Sequence, residues 1–493
     1  MLGRFTRDQR GSVLFMFSIA FPMILVVIGM AIDYSRGLAA RQTIASAIDA
    51  AALAAGTAVN MSELEIEAQA QAYFDANKAP GQSATISVAT TNDKVTISAT
   101  GTVDTTFLRL ISITKLDVAA STEVSKRNRK IELVMVLDNT GSMSWSGKLD
   151  ALKSAANTLL DILMPQAEHS ANGDVKIGLV PFAAAVNIGP DKLNSGWLDT
   201  NALSTIAWED FAAGTNALTL YDDILNRSWN GCVRARNEPY DTTDTPPAVA
   251  ASDTLWAPYF APDEPDNGWY ANRYAPDDGY TGGEFDYDAR QRYTGKYVNY
   301  ALLGWVGSDG PSFNCWTPQV TPLTATHGDV QAGIELMTAS GSTVIPAGLA
   351  WGWRLISPDE PFIEGAAYDD DDYIKAIVLL TDGQNSVGGG LGNHNNSYYN
   401  AFGYAQSGHL GATNGSQAEA TLNAKTTTLC DNIKAEGVIL YTITFQLSDG
   451  PIKDLMRDCA TSTNMYYDSP DNSQLQTIFE EIAIGLSELR ISK

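Results

Sequence analysis

Positive charge is scarce in this chain. Its 493 residues carry 32 Lys and Arg against 57 Asp and Glu, a formal charge of −25. Nucleic-acid affinity comes largely from Lys and Arg neutralising phosphates, so this balance excludes a nucleic-acid partner and a basic membrane-surface protein. Histidine is rarer still: His169, His327, His394 and His409 are scattered, with no HExxH and no i,i+4 pair, which argues against zinc. Four cysteines are too few for a disulfide-held miniprotein, although the number is even. There is no GxSxG, no Walker loop, no paired His–Cys arrangement and no GxGxxG after a strand, so the chain is read as not an enzyme. No solenoid-type repeat is present. Apolar residues are not lacking: at 44% hydrophobic and 18% charged, the chain has material for buried cores, and its length suits two or three domains.

One apolar run stands out. Ser12 to Ile32 is uncharged over 21 residues, enough at about 1.5 Å per residue to cross a hydrocarbon layer of about 30 Å. Arg4, Arg7 and Arg10 precede it, while Asp33, Arg36 and Arg41 follow. The run is long for a secretory signal and no clean small-x-small site follows. It reads as a retained single-pass anchor, N-terminus cytoplasmic and bulk of the chain exported, with a kink expected at Pro22. The alanine-rich stretch Gly37–Gly56 keeps helical spacing at Leu38, Ile44, Ile48 and Leu53. A continuous helix from Ser12 to about Thr57 would therefore project beyond the bilayer, either as a spacer or as a surface for another helix.

Beyond the anchor segment (1–57), residues 58–130 read as a small α+β module and basic junction. Met61–Lys78 is helical, with Ser62 as N-cap and Pro80 past its end. Ile86 and Val88, then Val95, Ile97 and Ala99, alternate around Thr91–Lys94 as a hairpin, and Lys115–Val124 is a third strand. Lys126–Lys130 forms the junction. Residues 131–493 carry an α/β pattern with a mostly parallel sheet and flanking helices. The strands expected are Ile131–Leu137, Val175–Phe182, Tyr373–Leu380, Val438–Phe445 and Asn464–Tyr467. Helices are expected at Leu149–Met164 and near 416–436, 451–460 and 473–490. Between about 187 and 322 the pattern breaks. That interval holds seven of the ten tryptophans and reads as a large ordered insertion, since disordered segments are poor in aromatics.

The first buried strand ends in Asp138-Asn139-Thr140-Gly141-Ser142-Met143-Ser144, at the sheet edge where open α/β sheets bind ligands. A carboxylate and hydroxyls at alternate positions on a tight loop suit a hard cation, Mg²⁺ or Ca²⁺, rather than zinc or copper. Gly341-Ser342-Thr343 precedes an apolar helix, and Leu380-Thr381-Asp382-Gly383 ends a later strand. With these three elements in order, the chain resembles the von Willebrand factor A domain. The metal-ion-dependent adhesion site of that family combines a DxSxS loop, a Thr and a further Asp. The resemblance implies Asp138, Thr140, Ser142, Thr343 and Asp382 as ligands, directly or through water, of Mg²⁺ (or Ca²⁺/Mn²⁺). One coordination position would be left for an acidic residue of a protein partner. Thr140 stands where the family usually has Ser and keeps the hydroxyl.

A narrower resemblance covers both ends. RGS before the anchor, AIDYSRGLAARQ…AIDAAALAAGTA, LVPFAAAVN and the terminal FEEIAIGLSELRISK resemble Tad/Flp-type pilus assembly proteins of the TadG kind. That implies a single-pass protein of a bacterial inner membrane, largely periplasmic, working with pilus assembly proteins or pilins. A variant of this reading is a minor pilus-tip adhesin contacting surfaces or glycans through the A domain and its insertion. Pilin-like relatives are cut after Gly and carry Glu at the fifth mature position; here Gly11 precedes Ser12, but that position is Met16. A-domain subunits of metal-chelatase machines are cytosolic, at odds with this anchor.

Four cysteines permit three pairings. In an oxidising periplasm local pairing is economical: Cys232 with Cys315 inside the insertion, Cys430 with Cys459 inside the A domain. The acidic run Tyr368–Tyr373 is expected to be a solvated face rather than a calcium site. The aromatic segments around Trp256 and Tyr274 are expected to be the insertion's own small core, with stacking on a glycan or protein as the alternative. Gly388–Asn396 is a loop.

Overall fold

The computed structural model describes residues 12–56, 63–79, 83–91, 94–125, 129–165, 174–267, 271–302, 310–388, 394–407, 409–412 and 414–491. Arg4, Arg7, Arg10, Gly11, Ser62, Pro80, the hairpin turn at Asn92-Asp93, Lys126–Asn128, His169 and most of the 388–396 loop lie outside them. The chain divides into two compact units, one ending at Asn128 apart from the last residues, the other spanning Arg129–Arg490.

In the first unit, helix α1 (Ser12–Gly56) runs through Pro22 without a break. It is followed by α2 (Glu63–Asn77) and the antiparallel strands β1 (Ser83–Thr90), β2 (Lys94–Asp104) and β3 (Lys115–Ser125), in that spatial order. Alternate residues of β2, namely Val95, Ile97 and Ala99, turn inward, as a half-buried strand requires. They meet Ile66, Ala70 and Phe74 of α2 and the alanine-rich half of α1, where Ile44, Ala47, Ile48, Ala51, Ala52 and Ala55 are buried. The stretch read from sequence as a projecting spacer or helix-packing surface is thus a core face of the module. Its alanines let the helix axis come close to the sheet.

The second unit is built on six strands in the order β11-β10-β9-β4-β5-β8. In chain order the unit opens with β4 (Lys130–Asp138), α3 (Lys148–Leu163), β5 (Val175–Phe182) and β6 (Val186–Asn187). Then come α4 (Ala217–Asp223), β7 (Cys232–Val233), α5 (Tyr287–Gln291), β8 (Thr321–Thr324), α6 (His327–Glu335) and α7 (Ile345–Ile356). The chain continues through β9 (Tyr373–Thr381), α8 (Gly415–Ala435), β10 (Ile439–Phe445), α9 (Pro451–Cys459), β11 (Tyr466–Ser469) and α10 (Asn472–Ile491).

All pairs in the large sheet are parallel except β5 with the edge strand β8. Strand β4 is buried on both faces, as its continuous apolar run requires. Val134 and Val136 face a core shared with α7, α8 and α9. Ile131, Leu133, Met135 and Leu137 face the opposite core, with α3, α6 and α10. Apart from the short elements of the insertion, two elements escaped the sequence reading: α6, and β8, whose four residues include Pro322. Proline is tolerated there because β8 lies at an edge.

Between β6 and β8 the insertion has one two-stranded ladder, β6 with β7, and short helices. Trp197, Trp229, Trp256, Tyr259, Phe260, Tyr274 and Tyr297 are nevertheless buried in it. These aromatics are core, packed edge to face in groups such as Phe260 with Tyr221 and Tyr297, but the core is not the insertion's own: it is continuous with Val134 and Val136 of β4 and Leu349 of α7. Cys232 is bonded to Cys315, and Cys430 to Cys459, tying α8 to α9. The acidic run is exposed from Asp369 to Asp372.

A candidate divalent-cation cradle

Strands β4 and β9 are neighbours, so their C-terminal ends put Asp138 and Asp382 side by side at one edge of the sheet. The loop after β4 turns at once: the Thr140 amide donates to Asp138 Oδ1 at 2.8 Å, closing an Asx turn. The turn brings Thr140 Oγ1 within 3.1 Å of Ser142 Oγ. Ser142 Oγ donates to Asp382 Oδ1 at 2.5 Å, joining the first loop to the third. The second loop is laced to the first through the backbone: Gly141 N donates to Gly341 O at 3.0 Å, and Ser340 N to Asn139 O at 2.8 Å. Thr343 is buried, and its carbonyl accepts from Ser386 N, beyond β9, at 2.8 Å. A methyl built on Gly383 would lie 3.4 Å from Thr343 Oγ1. The five residues singled out in the sequence therefore share one cradle.

Its electrostatics are lopsided. Asp138 is completely buried, and its carboxyl is pushed up to about 7, first by burial and then by the nearby Asp382. Two dehydrated carboxylates repel unless a cation stands near them. One does: Lys148 Nζ, from the first turn of α3, lies 2.7 Å from Asp382 Oδ2. Thr381 Oγ1 donates to Asp138 Oδ2 at 2.7 Å. Sequence reasoning missed both partners. Thr381 directly precedes a ligand candidate, whereas nothing in the spacing announces Lys148. Asn139, between the candidates, is fully buried with neither side-chain polar atom partnered.

This donor set fits a hard divalent ion in its chemistry: two carboxylates, three hydroxyls, no sulfur or imidazole. Among the described residues no three His, Cys, Asp or Glu side chains converge on one point, so hydroxyls would have to complete the shell. An ion held by Asp138, Thr140, Ser142, Thr343 and Asp382 would supply positive charge to a carboxylate approaching from outside.

Comparison with known proteins adds the following. The family described as "Putative Flp pilus-assembly TadE/G-like" matches residues 11–60. No curated protein matches the chain. Among solved structures, the chain is similar to the pilus adhesin SpaC from Lactobacillus rhamnosus GG. The identity is 12% and the TM-score 0.33, over 83% of this chain and 35% of that one. It is similar to the vWF domain of the type V pili tip protein Mfa5 from Porphyromonas gingivalis, at 11% identity and TM-score 0.36, over 74% and 97%. A third is proximal thread matrix protein 1 from the mussel byssus with a zinc-occupied MIDAS motif, at 11% identity and TM-score 0.30, over 73% and 46%. The chain spans about a third of the length of SpaC.

Proposed function

We propose that this is a membrane-anchored, exported protein of Tad/Flp pilus biogenesis of the TadG kind, which binds a protein partner through a divalent cation. The observation that carries the reading is the cradle, where three loops bring two buried carboxylates and three hydroxyls together at the sheet's C-terminal edge. The family match over residues 11–60 supports the pilus assignment, and an apolar helix near the N-terminus supports the anchor. The anchor is Ser12–Ile32, crossing the inner membrane with its N-terminus cytoplasmic and the rest of the chain periplasmic. Asp138, Thr140, Ser142, Thr343 and Asp382 hold Mg²⁺, and an acidic side chain of the partner completes its shell. The protein binds and does not catalyse.

The test is calorimetry with Mg²⁺ on the wild type, Asp138→Ala and Thr343→Ala, paired with a pull-down with and without EDTA. Wild-type binding that falls at least 100-fold in both variants, with partner capture lost in EDTA, is expected. Equal Mg²⁺ affinity in all three proteins would refute the assignment. Recovery of the chain in sheared pili would move it to the pilus tip.

A further inference from the structure

We propose that residues 105–113, in the loop between β2 and β3, are a second bilayer contact, an apolar finger lying in the lipid interface beside the anchor. The inference rests on Ser12–Ile32 spanning the membrane. Three features of the first unit carry it.

The loop is locked to α1 at one height. The Asp33 carboxylate, 1% exposed, accepts the amides of Thr106, Phe107 and Leu108 at 2.7–3.1 Å. It thereby caps the short 3-10 turn Leu108–Ile111. Arg36 Nη1 adds a hydrogen bond to Thr106 Oγ1 at 2.9 Å. One turn earlier on α1, the Phe107 side chain lies against Gly29 so closely that a methyl there would overlap it.

That height is the end of the apolar run. Gly29 precedes Ile32 by three residues, about 4.5 Å along the helix axis. Phe107 therefore sits just inside the hydrocarbon edge, close to the shallow end of the roughly 5–10 Å depth that interfacial elements occupy. The exposed Tyr34 and the exposed Arg36 follow at once on α1, the residue types found at the headgroup level.

The loop's outward face is apolar. Leu110 is 73% exposed, Ile111 47%, Ile113 42% and Phe107 37%. Together with Ile28 and Ile32 of the helix, 52% and 42% exposed, they continue the apolar surface of the anchor. Arg109 and Lys115 are also exposed, placed to reach phosphate headgroups while their stems stay in the apolar layer. Continuity with the anchor surface selects lipid as the occupant over a protein groove.

The test uses the full chain in vesicles of three parts phosphatidylethanolamine to one part phosphatidylglycerol. A single fluorophore is attached at Leu110→Cys, Ile111→Cys, Val27→Cys in the anchor, or the exposed Leu64→Cys of α2 as the aqueous control. Doxyl-labelled lipids are the quencher and iodide the aqueous probe. The expected result is that positions 110 and 111 are quenched by lipid at least half as strongly as 27, while 64 responds only to iodide. Quenching at 27 with iodide access at 110 overturns the inference and leaves the anchor standing; no lipid quenching at 27 sinks the anchor reading itself. Protection of 110 from both quenchers overturns the inference in favour of a protein occupant. Asp33→Asn is expected to reduce lipid quenching at 110 at least threefold while leaving 27 unchanged, a pattern that generally poor insertion would not produce.

Discussion

The six-stranded body and the insertion it carries are comparably dry yet held by different means. In the body, backbone groups are paired in ladders, and side chains of β4, β5 and β9 only have to be apolar and of fitting size. Among the described residues of the insertion there is a single short ladder, so side chains must satisfy the buried backbone. Arg236, fully buried, donates to the carbonyls of Tyr240, Thr243, Thr245 and Thr254 while lying over the Trp256 ring. Asp263 accepts the amides of Tyr274 and Ala275, and Asp199 those of Leu203 and Ser204. Lys296 binds Asp263, Asp277 and two carbonyls. Stability in the body is spread over many interchangeable contacts; in the insertion it is concentrated in a few irreplaceable ones.

That contrast can be broken experimentally. The largest effect is expected from removing the Cys232–Cys315 bond by double substitution to Ser. Its 83-residue separation restricts the unfolded chain by about 4.6 kcal/mol on the loop-entropy estimate, against about 3.6 for the 29-residue Cys430–Cys459 bond. Denaturant unfolding of the two double variants ranks them; a reversed order would mean that the insertion is ordered without its bridge.

Next comes Arg236→Ala, expected to cost about 3–5 kcal/mol because several buried carbonyls lose their donor at once. Hydrogen exchange should show protection lost across residues 236–260 while amides of β4 stay protected. Leu133→Ala, a cavity in the body costing about 3 kcal/mol, should instead lower protection throughout the second unit. The same pattern from both variants would erase the distinction between the regions.

The cradle belongs to the body but, like the insertion, buries charge, here two neighbouring carboxylates. Asp138 ionises near 7 in the folded chain, against 3.8 for the ordinary carboxyl. Between about pH 4 and 7 the native state holds a proton that the unfolded state has released. The contribution of this group to metal-free stability therefore falls as pH rises through that window. A divalent ion must displace the same proton, so Mg²⁺ affinity should fall about tenfold per unit below pH 7. Calorimetry between pH 5 and 8 measures this, and a flat profile would remove Asp138 from the ligand set.

The smallest effect is the most diagnostic. Lys148→Met removes the ammonium group that neutralises Asp382. Mg²⁺ should then bind about tenfold more tightly, and its addition should raise the melting temperature more than in wild type. Unchanged affinity would show that the ion and the lysine do not compete.

Much of the body was legible because burial on two faces writes a continuous apolar run. Ile131–Leu137 and Tyr373–Leu380 announced β4 and β9, and the loops at their ends could be matched to a known site. Strand β8 was not legible, since four residues with a proline carry no period. Nor was the burial of the insertion's charged residues, although its aromatic core was: Arg236 and Asp263 look solvent-facing in any local pattern. The alanine-rich half of α1 was legible as helix, but the surface it covers was not.

Local chemistry, then, determined which segments are helix or strand, where a membrane could be crossed and which loops carry oxygen donors. These depend on periodicity and residue type within a few turns. Chain crossing decided the rest: that Lys148 reaches Asp382, that Asp33 holds the 105–113 loop, that guanidinium groups replace ladders in the insertion. The first two of these contacts join residues 234 and 73 positions apart, Arg236 reaches carbonyls 4 to 18 positions away without any regular ladder, and only packing specifies which groups meet.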